Sequence, residues 1–123
     1  MATITVAESK SFEVPEETRN FPKGKLDIVN VGGTTMGRAT FEPGWKWSEC
    51  VKPIAGTDSC MASHLGFVLS GRMTVVMNDG TVLNFGPNDA MSIPPGHDGW
   101  VVGDTPCVAV DFVGYENFAK PAR

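Results

Sequence analysis

The 123-residue sequence lacks the features that mark secreted and membrane proteins. It has only three cysteines, Cys50, Cys60 and Cys107, with no C-x-x-C pair, which argues against a secreted disulfide framework and favours free thiols. A bridge between Cys50 and Cys60 is the alternative. No apolar run approaches membrane-spanning length, and the N-terminus has neither the basic nor the apolar region of a signal peptide. The sequence therefore predicts a cytoplasmic protein.

Basic residues are also scarce. The chain has 10 Lys and Arg against 14 Asp and Glu, and no Lys/Arg cluster, which argues against nucleic-acid binding. It contains no G-x-S-x-G, no Walker loop and no G-x-G-x-x-G, so nothing supports an acyl hydrolase or a nucleotide-binding protein. A small-molecule ligand is the expected partner, with no nucleic acid and no membrane.

Glycine and proline, in contrast, are abundant. The 14 glycines and 9 prolines divide the sequence into short apolar runs, and no window of a dozen residues has a helical apolar period, so an all-β class is predicted. The predicted strands are Thr3–Val6, Leu26–Val31, Thr35–Glu42, His64–Leu69, Arg72–Met77, Thr81–Phe85, Ala90–Ile93, Trp100–Val102 and Val108–Val113. Such close spacing is typical of a sandwich or barrel. Asn78-Asp79-Gly80 predicts a tight hairpin turn.

The chain length fits one domain that needs neither disulfides nor a structural metal to fold. Within it we expect an N-terminal strand and surface segment over 1–25, a barrel over 26–114 and a tail over 115–123. Pro43–Ala62 mixes Pro, Gly, Ser and charged residues. An ordered loop of this length is usually functional or a lid.

Two blocks, Ser63–Met73 and Asn88–His97, hold both histidines of the sequence. They resemble the two motifs of the cupin superfamily, G-x5-H-x-H-x(3,4)-E-x6-G and G-x5-P-x-G-x2-H-x3-N. The resemblance covers roughly Leu26–Val113. It implies a single-domain cupin-type double-stranded β-helix barrel, or jelly roll, whose interior is wide enough for a small ligand.

In the family, three histidines and a glutamate bind a metal inside the barrel. Counting back from Gly71 places His64 at the glutamate position. Counting forward from Gly44 places Cys50 and Lys52 at the two histidine positions of the first motif, after which eleven residues replace the usual three or four.

In the second motif, Asn88 replaces the first glycine, and Pro94 and Gly96 match, but Gly99 stands at the histidine position. His97 lies two residues before Gly99, and side chains two apart in an extended strand share a face. His97 is therefore expected to face the barrel interior, unless Pro94-Pro95-Gly96 holds it in a turn.

His64, His97 and Cys50 are accordingly the predicted metal ligands. Two imidazoles and a thiolate suit a three-ligand site with an open position for water or substrate. The expected metal is a divalent transition metal: Zn, Fe, Mn, Ni or Cu. The alternatives are histidines that only form hydrogen bonds and an ordinary buried thiol.

Five further residues are predicted to line the pocket. Trp45, Trp47 and Trp100 suit the wall of a small-ligand site, although core packing or a dimer contact explains them equally well. Glu49 is an alternative oxygen ligand or general base, and Lys52 can act as a base or form a Schiff base if burial lowers its pKa. Both are otherwise solvated side chains. Asp98 is assigned no catalytic role, because neighbours on a strand point to opposite faces.

The leading functional hypothesis is a metal-dependent enzyme that acts on a small organic molecule. The cupin fold hosts dioxygenases, isomerases, decarboxylases and lyases, so the resemblance does not select a reaction. A metal-free binding or sensing module is the alternative, favoured by the missing H-x-H pair, and a purely structural domain is the third hypothesis. The resemblance also implies a homodimer formed through sheet edges or exchanged N-terminal strands.

Overall fold

The computed structural model describes residues 4–114 and 118–121. Its strands are β1 Glu17–Phe21, β2 Gly24–Val31, β3 Thr34–Phe41, β4 His64–Ser70, β5 Met73–Met77, β6 Val82–Phe85, β7 Ala90–Ile93, β8 His97–Val101 and β9 Cys107–Val113. They form a six-stranded sheet in the order β1-β2-β3-β9-β4-β7 and a three-stranded sheet in the order β6-β5-β8. Every pairing is antiparallel, which confirms the all-β prediction.

The predicted strands from Leu26 onward are present with shifted ends, but the predicted strand at Thr3–Val6 is wrong where it can be checked. Residues 4–6 form no strand, and Thr3 lies outside the described residues. The N-terminal strand is β1 instead, which pairs with β2. Its sequence is polar, and only Phe21 is buried. An edge strand of this kind lacks the apolar alternation that sequence reasoning uses.

The turns follow local sequence chemistry. Asn78-Asp79-Gly80 joins β5 to β6 as predicted; the Met77 N–H donates to the Thr81 carbonyl at 2.8 Å, and Gly80 has φ of 93°. The Asp79 carboxylate accepts the Thr81 N–H at 2.9 Å, which secures the turn.

Inward-facing residues of both sheets meet in one core. In the large sheet, Leu26, Ala39 and Val68 are fully buried, and Val75 of the small sheet packs in the same cluster. Burial of each large aliphatic side chain contributes about 1.5–3 kcal/mol to the free energy of unfolding.

The long segment Pro43–Ala62 contains two short helices, α1 Trp47–Cys50 and α2 Lys52–Ala55. Trp47, Cys50 and Val51 are buried in the core, so this segment is part of the barrel wall. The Asp98 carboxylate accepts the Ser48 N–H at 3.1 Å and thereby satisfies a backbone donor in the first turn of α1. No helix among residues 4–114 and 118–121 is long and apolar enough to cross a membrane.

Candidate metal centre

Three buried side chains, Cys60, His64 and His97, converge inside the barrel. Their potential ligand atoms all lie within 4.8 Å of one another, and Cys60 Sγ is 4.0 Å from His64 Nε2. Tetrahedral coordination at zinc–nitrogen and zinc–sulfur distances places ligand atoms about 3.3–3.8 Å apart. Small side-chain rotations are therefore enough for the three residues to bind one ion.

Backbone pairing holds the thiol beside one imidazole. The Cys60 N–H donates to the His97 carbonyl at 2.7 Å, and the His97 N–H donates to the Cys60 carbonyl at 3.2 Å. This isolated antiparallel bridge ties the end of the long segment to the start of β8. His64 begins β4, where it pairs with Ile93 of β7. The three residues thus belong to rigid, hydrogen-bonded backbone.

The hydrogen bonds of the imidazoles fix their orientation. His64 Nδ1 lies 2.6 Å from Oδ2 of Asp111, and His97 Nδ1 lies 2.8 Å from the carbonyl oxygen of Pro94. A carboxylate and a carbonyl only accept, so each Nδ1 carries the proton and each Nε2 keeps a lone pair when the ring is neutral. A histidine that donates from one ring nitrogen to a carboxylate or carbonyl is typical of metal sites.

Asp111 itself is completely buried in β9. Its Oδ1 accepts the N–H groups of Leu65 and Val113 at 3.0 and 2.8 Å, while Oδ2 faces His64. Three donors therefore stabilise the carboxylate in the core. Asp111 was not predicted as a site residue, although a single acidic residue within the apolar run Val108–Val113 was the available signal.

Asp111→Asn is expected to lower metal affinity by roughly 10- to 100-fold. The amide oxygen can keep the two backbone hydrogen bonds, but the NH₂ group then donates to His64 Nδ1 and moves the imidazole proton to Nε2. Competition with a chromophoric chelator measures the affinity. Asp27→Asn is the matched control, since Asp27 is a buried carboxylate bound to Thr18 and Arg38. Equal affinity in wild type and Asp111→Asn would contradict a positioning role.

Burial sets the protonation states of His97 and Cys60. It lowers the pKa of His97 to about 4, helped by the nearby His64 and opposed by the Pro94 carbonyl. It raises the pKa of the Cys60 thiol to about 11, against a hydrogen bond with the Ala62 backbone. At neutral pH, His97 is thus in its ligating form, whereas Cys60 keeps its proton in the metal-free protein.

The lowered pKa of His97 predicts a loss of stability of the metal-free protein in acid. Between its ordinary value of 6.5 and about 4, the unfolded chain binds a proton that the folded chain does not. The lowered pKa of His97 contributes on the order of 3 kcal/mol to the free energy of unfolding. This contribution is complete above pH 6.5 and is lost as the pH falls to 4. Urea unfolding of wild type and His97→Gln across this range measures it. An identical pH dependence in both proteins would show that His97 is not responsible.

A cavity of about 40 Å³ adjoins the three residues. It is lined by Phe41, Trp45, Trp47, Cys60, His64, Met73, Val75, Met91, Ile93, His97, Gly99, Ala109 and Phe118. A cavity of this size holds about three waters. Apart from the cluster and the two tryptophans, the lining residues are apolar, and none of the described lysines or arginines contributes to it.

The structure places the predicted site residues in different environments. His64 and His97 lie together as predicted, but the thiol beside them is Cys60; Cys50 is buried in α1 and is not part of the group. Residues 47–50 and 52–55 fold into α1 and α2, and the cysteine beyond these helices, Cys60, pairs with His97. All three cysteines are free thiols.

Of the predicted pocket-lining residues, Trp45 and Trp47 line the cavity, whereas Glu49, Lys52 and Trp100 do not. Glu49 is exposed on α1, and Lys52 is half-buried at the start of α2. In β8, His97, Gly99 and Val101 face inward, so Trp100 points outward, where the Lys46 ammonium lies 5.4 Å from its ring. Strand alternation thus confirms the inward orientation predicted for His97 and excludes Trp100 from the cavity.

Phe118, near the C-terminus, also lines the cavity. It is buried, and its ring centroid lies 5.9 Å from that of His64 and 6.0 Å from that of Phe21. Its carbonyl accepts a hydrogen bond from Arg19 at 2.7 Å. Phe118, Trp47 and Cys60 also line an outer groove of about 690 Å³. Of the predicted tail, residues 115–117 and 122–123 lie outside the described residues.

Phe118→Ala is expected to connect the groove with the cavity. Loss of the buried ring should lower the free energy of unfolding by about 3 kcal/mol and speed metal extraction by a chelator. Denaturant unfolding and stopped-flow extraction measure the two effects. Phe112→Ala is the control, because Phe112 is 38% exposed on the outer face of β9. An unchanged extraction rate would show that access does not depend on Phe118.

No protein-family model matches the chain, and no curated protein sequence is significantly similar to it. Solved structures do match. Oxalate decarboxylase from Bacillus subtilis is 24% identical with a TM-score of 0.58, over 80% of this chain and 27% of that one. A cupin-like protein from Thermotoga maritima is 16% identical with a TM-score of 0.53, over 79% and 73% of the two chains.

A protein of unknown function from Acidithiobacillus ferrooxidans is 17% identical with a TM-score of 0.57, over 85% of this chain and 97% of that one. The chain spans less than a third of the length of the oxalate decarboxylase. At these identities the similarity shows the fold alone. The chain has a cupin fold, and the predicted cupin-type barrel is confirmed.

Proposed function

We propose that this cupin-fold protein is a metal-dependent enzyme that acts on a small organic molecule, with its metal held by Cys60, His64 and His97. The convergence of three buried ligand atoms within 4.8 Å carries the proposal. It is supported by the acceptors at both Nδ1 atoms, because a histidine with that partner presents Nε2 to a metal.

Three protein ligands leave one coordination position for water or substrate. When bound, the metal supplies Lewis-acid polarisation or activation of a ligand at that position. The surrounding residues shape the space: the rings of Trp45 and Phe41 pack with centroids 4.1 Å apart and planes tilted by 37°, and Phe118 lines both the cavity and the groove. These buried rings surround the ligand atoms with apolar groups, among which electrostatic interactions are stronger than in water.

The charges favour a neutral substrate of a few heavy atoms. A Cys60 thiolate and the Asp111 carboxylate together carry two negative charges, which balance a divalent ion and exceed the charge of a monovalent one. No described Lys or Arg side chain lines the cavity to pair with a further anion, and burial of an unpaired charge is costly. We therefore infer that the substrate is not a dicarboxylate such as oxalate, although an oxalate decarboxylase shares the fold.

Metal analysis of protein purified without a histidine tag tests the proposal, with reconstitution by Zn, Fe, Mn, Ni or Cu. We expect one metal per chain in wild type and none in His97→Ala. If wild type binds no stoichiometric metal under any of these conditions, the metalloenzyme proposal fails and the cavity is better explained as a metal-free binding site.

A matched pair of ligands tests the substrate class. Oxamide is the neutral isostere of oxalate, and the visible spectrum of the Co(II)-loaded protein reports ligands at the open position. We expect oxamide to change this spectrum and oxalate to leave it unchanged. The opposite result would overturn the inference of a neutral substrate while leaving the metal site intact.

A further inference from the structure

We propose that this centre selects a thiophilic metal, copper before zinc, over iron and manganese. The inference rests on the proposed function, since it concerns the metal at the same three residues. Its basis is the set of donor atoms that the barrel presents to the cavity.

The first observation is the absence of oxygen donors. Among the described residues that line the cavity there is no Asp, Glu, Asn, Gln, Ser or Thr side chain. The nearest buried carboxylate, Asp111, is engaged by His64 Nδ1 and by two backbone N–H groups. Manganese prefers carboxylate, carbonyl and water oxygens, which this site does not supply from side chains.

The second observation is the excess of sulfur. Besides Cys60, two buried methionines, Met73 and Met91, line the same cavity. Met91 pairs with Gly66, two residues along β4 from His64, so it lies on the strand next to a proposed ligand. Thiolate and thioether ligands select Cu(I).

Zinc is the expected second choice. It accepts thiolate and imidazole in the tetrahedral sites that proteins build, but it gains little from a thioether. Divalent copper also exceeds zinc and iron in affinity for a given site of nitrogen and sulfur donors. We therefore expect Cys60 to raise the affinity for copper and zinc above that for manganese and iron. The two methionines are expected to raise the affinity for copper above that for zinc.

Competition between metals tests this selection. The metal-free protein is loaded anaerobically with Zn(II), Fe(II), Mn(II) or ascorbate-reduced Cu(I), and affinities are measured against chelators of known strength. We expect Cu(I) to displace bound zinc, and iron and manganese to bind on the order of 1,000-fold more weakly than zinc. Stoichiometric binding with iron or manganese preferred would overturn the inference and leave the proposed function standing; no binding of any metal would overturn both.

Two variants separate the contributions. Cys60→Asp exchanges the soft donor for a hard one and is expected to shift the preference towards manganese and iron. The double variant Met73→Leu, Met91→Leu keeps apolar volume and is expected to lower the ratio of Cu(I) to Zn(II) affinity about 10-fold. An unchanged ratio in the double variant would show that the methionines do not select copper, and an unchanged preference in Cys60→Asp would show the same for the cysteine.

Discussion

Replacement of Cys60 with serine is expected to lower zinc affinity by roughly 1,000-fold, whereas Cys50→Ser leaves it unchanged. A serine hydroxyl stays protonated and neutral, so it cannot replace the thiolate, and only two imidazoles remain as ligands. The measurement is competition with a chromophoric chelator at neutral pH.

Cys50 and Cys107 provide matched controls for this substitution. Both are free, buried thiols outside the cluster, so each serine variant introduces a similar polar group into the core. The three variants are therefore expected to share a stability loss but to differ in metal affinity. A loss of affinity in Cys50→Ser with none in Cys60→Ser would contradict the ligand assignment.

Removal of either histidine is expected to abolish stoichiometric metal binding, but the two variants should differ in stability. His64→Ala leaves the fully buried Asp111 carboxylate with one donor fewer, and loss of a hydrogen bond to a buried charged group should cost about 3 kcal/mol or more. In His97→Ala only the Pro94 carbonyl loses a partner, and the expected cost is about 1–3 kcal/mol. Metal analysis and denaturant unfolding of the metal-free proteins measure both effects.

A second substitution identifies the cause of that difference. In the His64→Ala background, Asp111→Asn removes the unpaired charge but keeps an acceptor for the Leu65 and Val113 N–H groups. It is therefore expected to restore part of the lost stability, although it is destabilising by itself. Additive losses in the double variant would contradict an electrostatic coupling between His64 and Asp111.

The fold was predictable because its signals are local. Gly71, the last residue of the first motif, has φ of 78°, and its backbone packs directly on Pro106. Asn88, which replaces a motif glycine, has φ of 73°, a conformation that asparagine tolerates better than most residues. A backbone position with positive φ restricts which residue types can occupy it. Such positions can therefore be recognised from the sequence without the structure.

The site was predictable only in part, because its completion depends on distant contacts. His64 and His97 belong to the motifs, but Cys60 reaches its position through a backbone bridge to His97, and Asp111 reaches His64 across 47 residues. Residue counting through Pro43–Ala62 selected Cys50, since the two helices in that segment were not predicted. Phe118 was missed for a similar reason, because only the folded chain places it over the cavity.

X-ray absorption by the zinc-loaded protein tests the central claim most directly, because it identifies the atoms bound to the metal. We expect one sulfur at about 2.3 Å and two imidazole nitrogens at about 2.0–2.1 Å in wild type and in Cys50→Ser. The sulfur should disappear from the spectrum of Cys60→Ser. A wild-type shell of nitrogen and oxygen alone, or a sulfur that persists in Cys60→Ser, would contradict a metal centre formed by Cys60, His64 and His97.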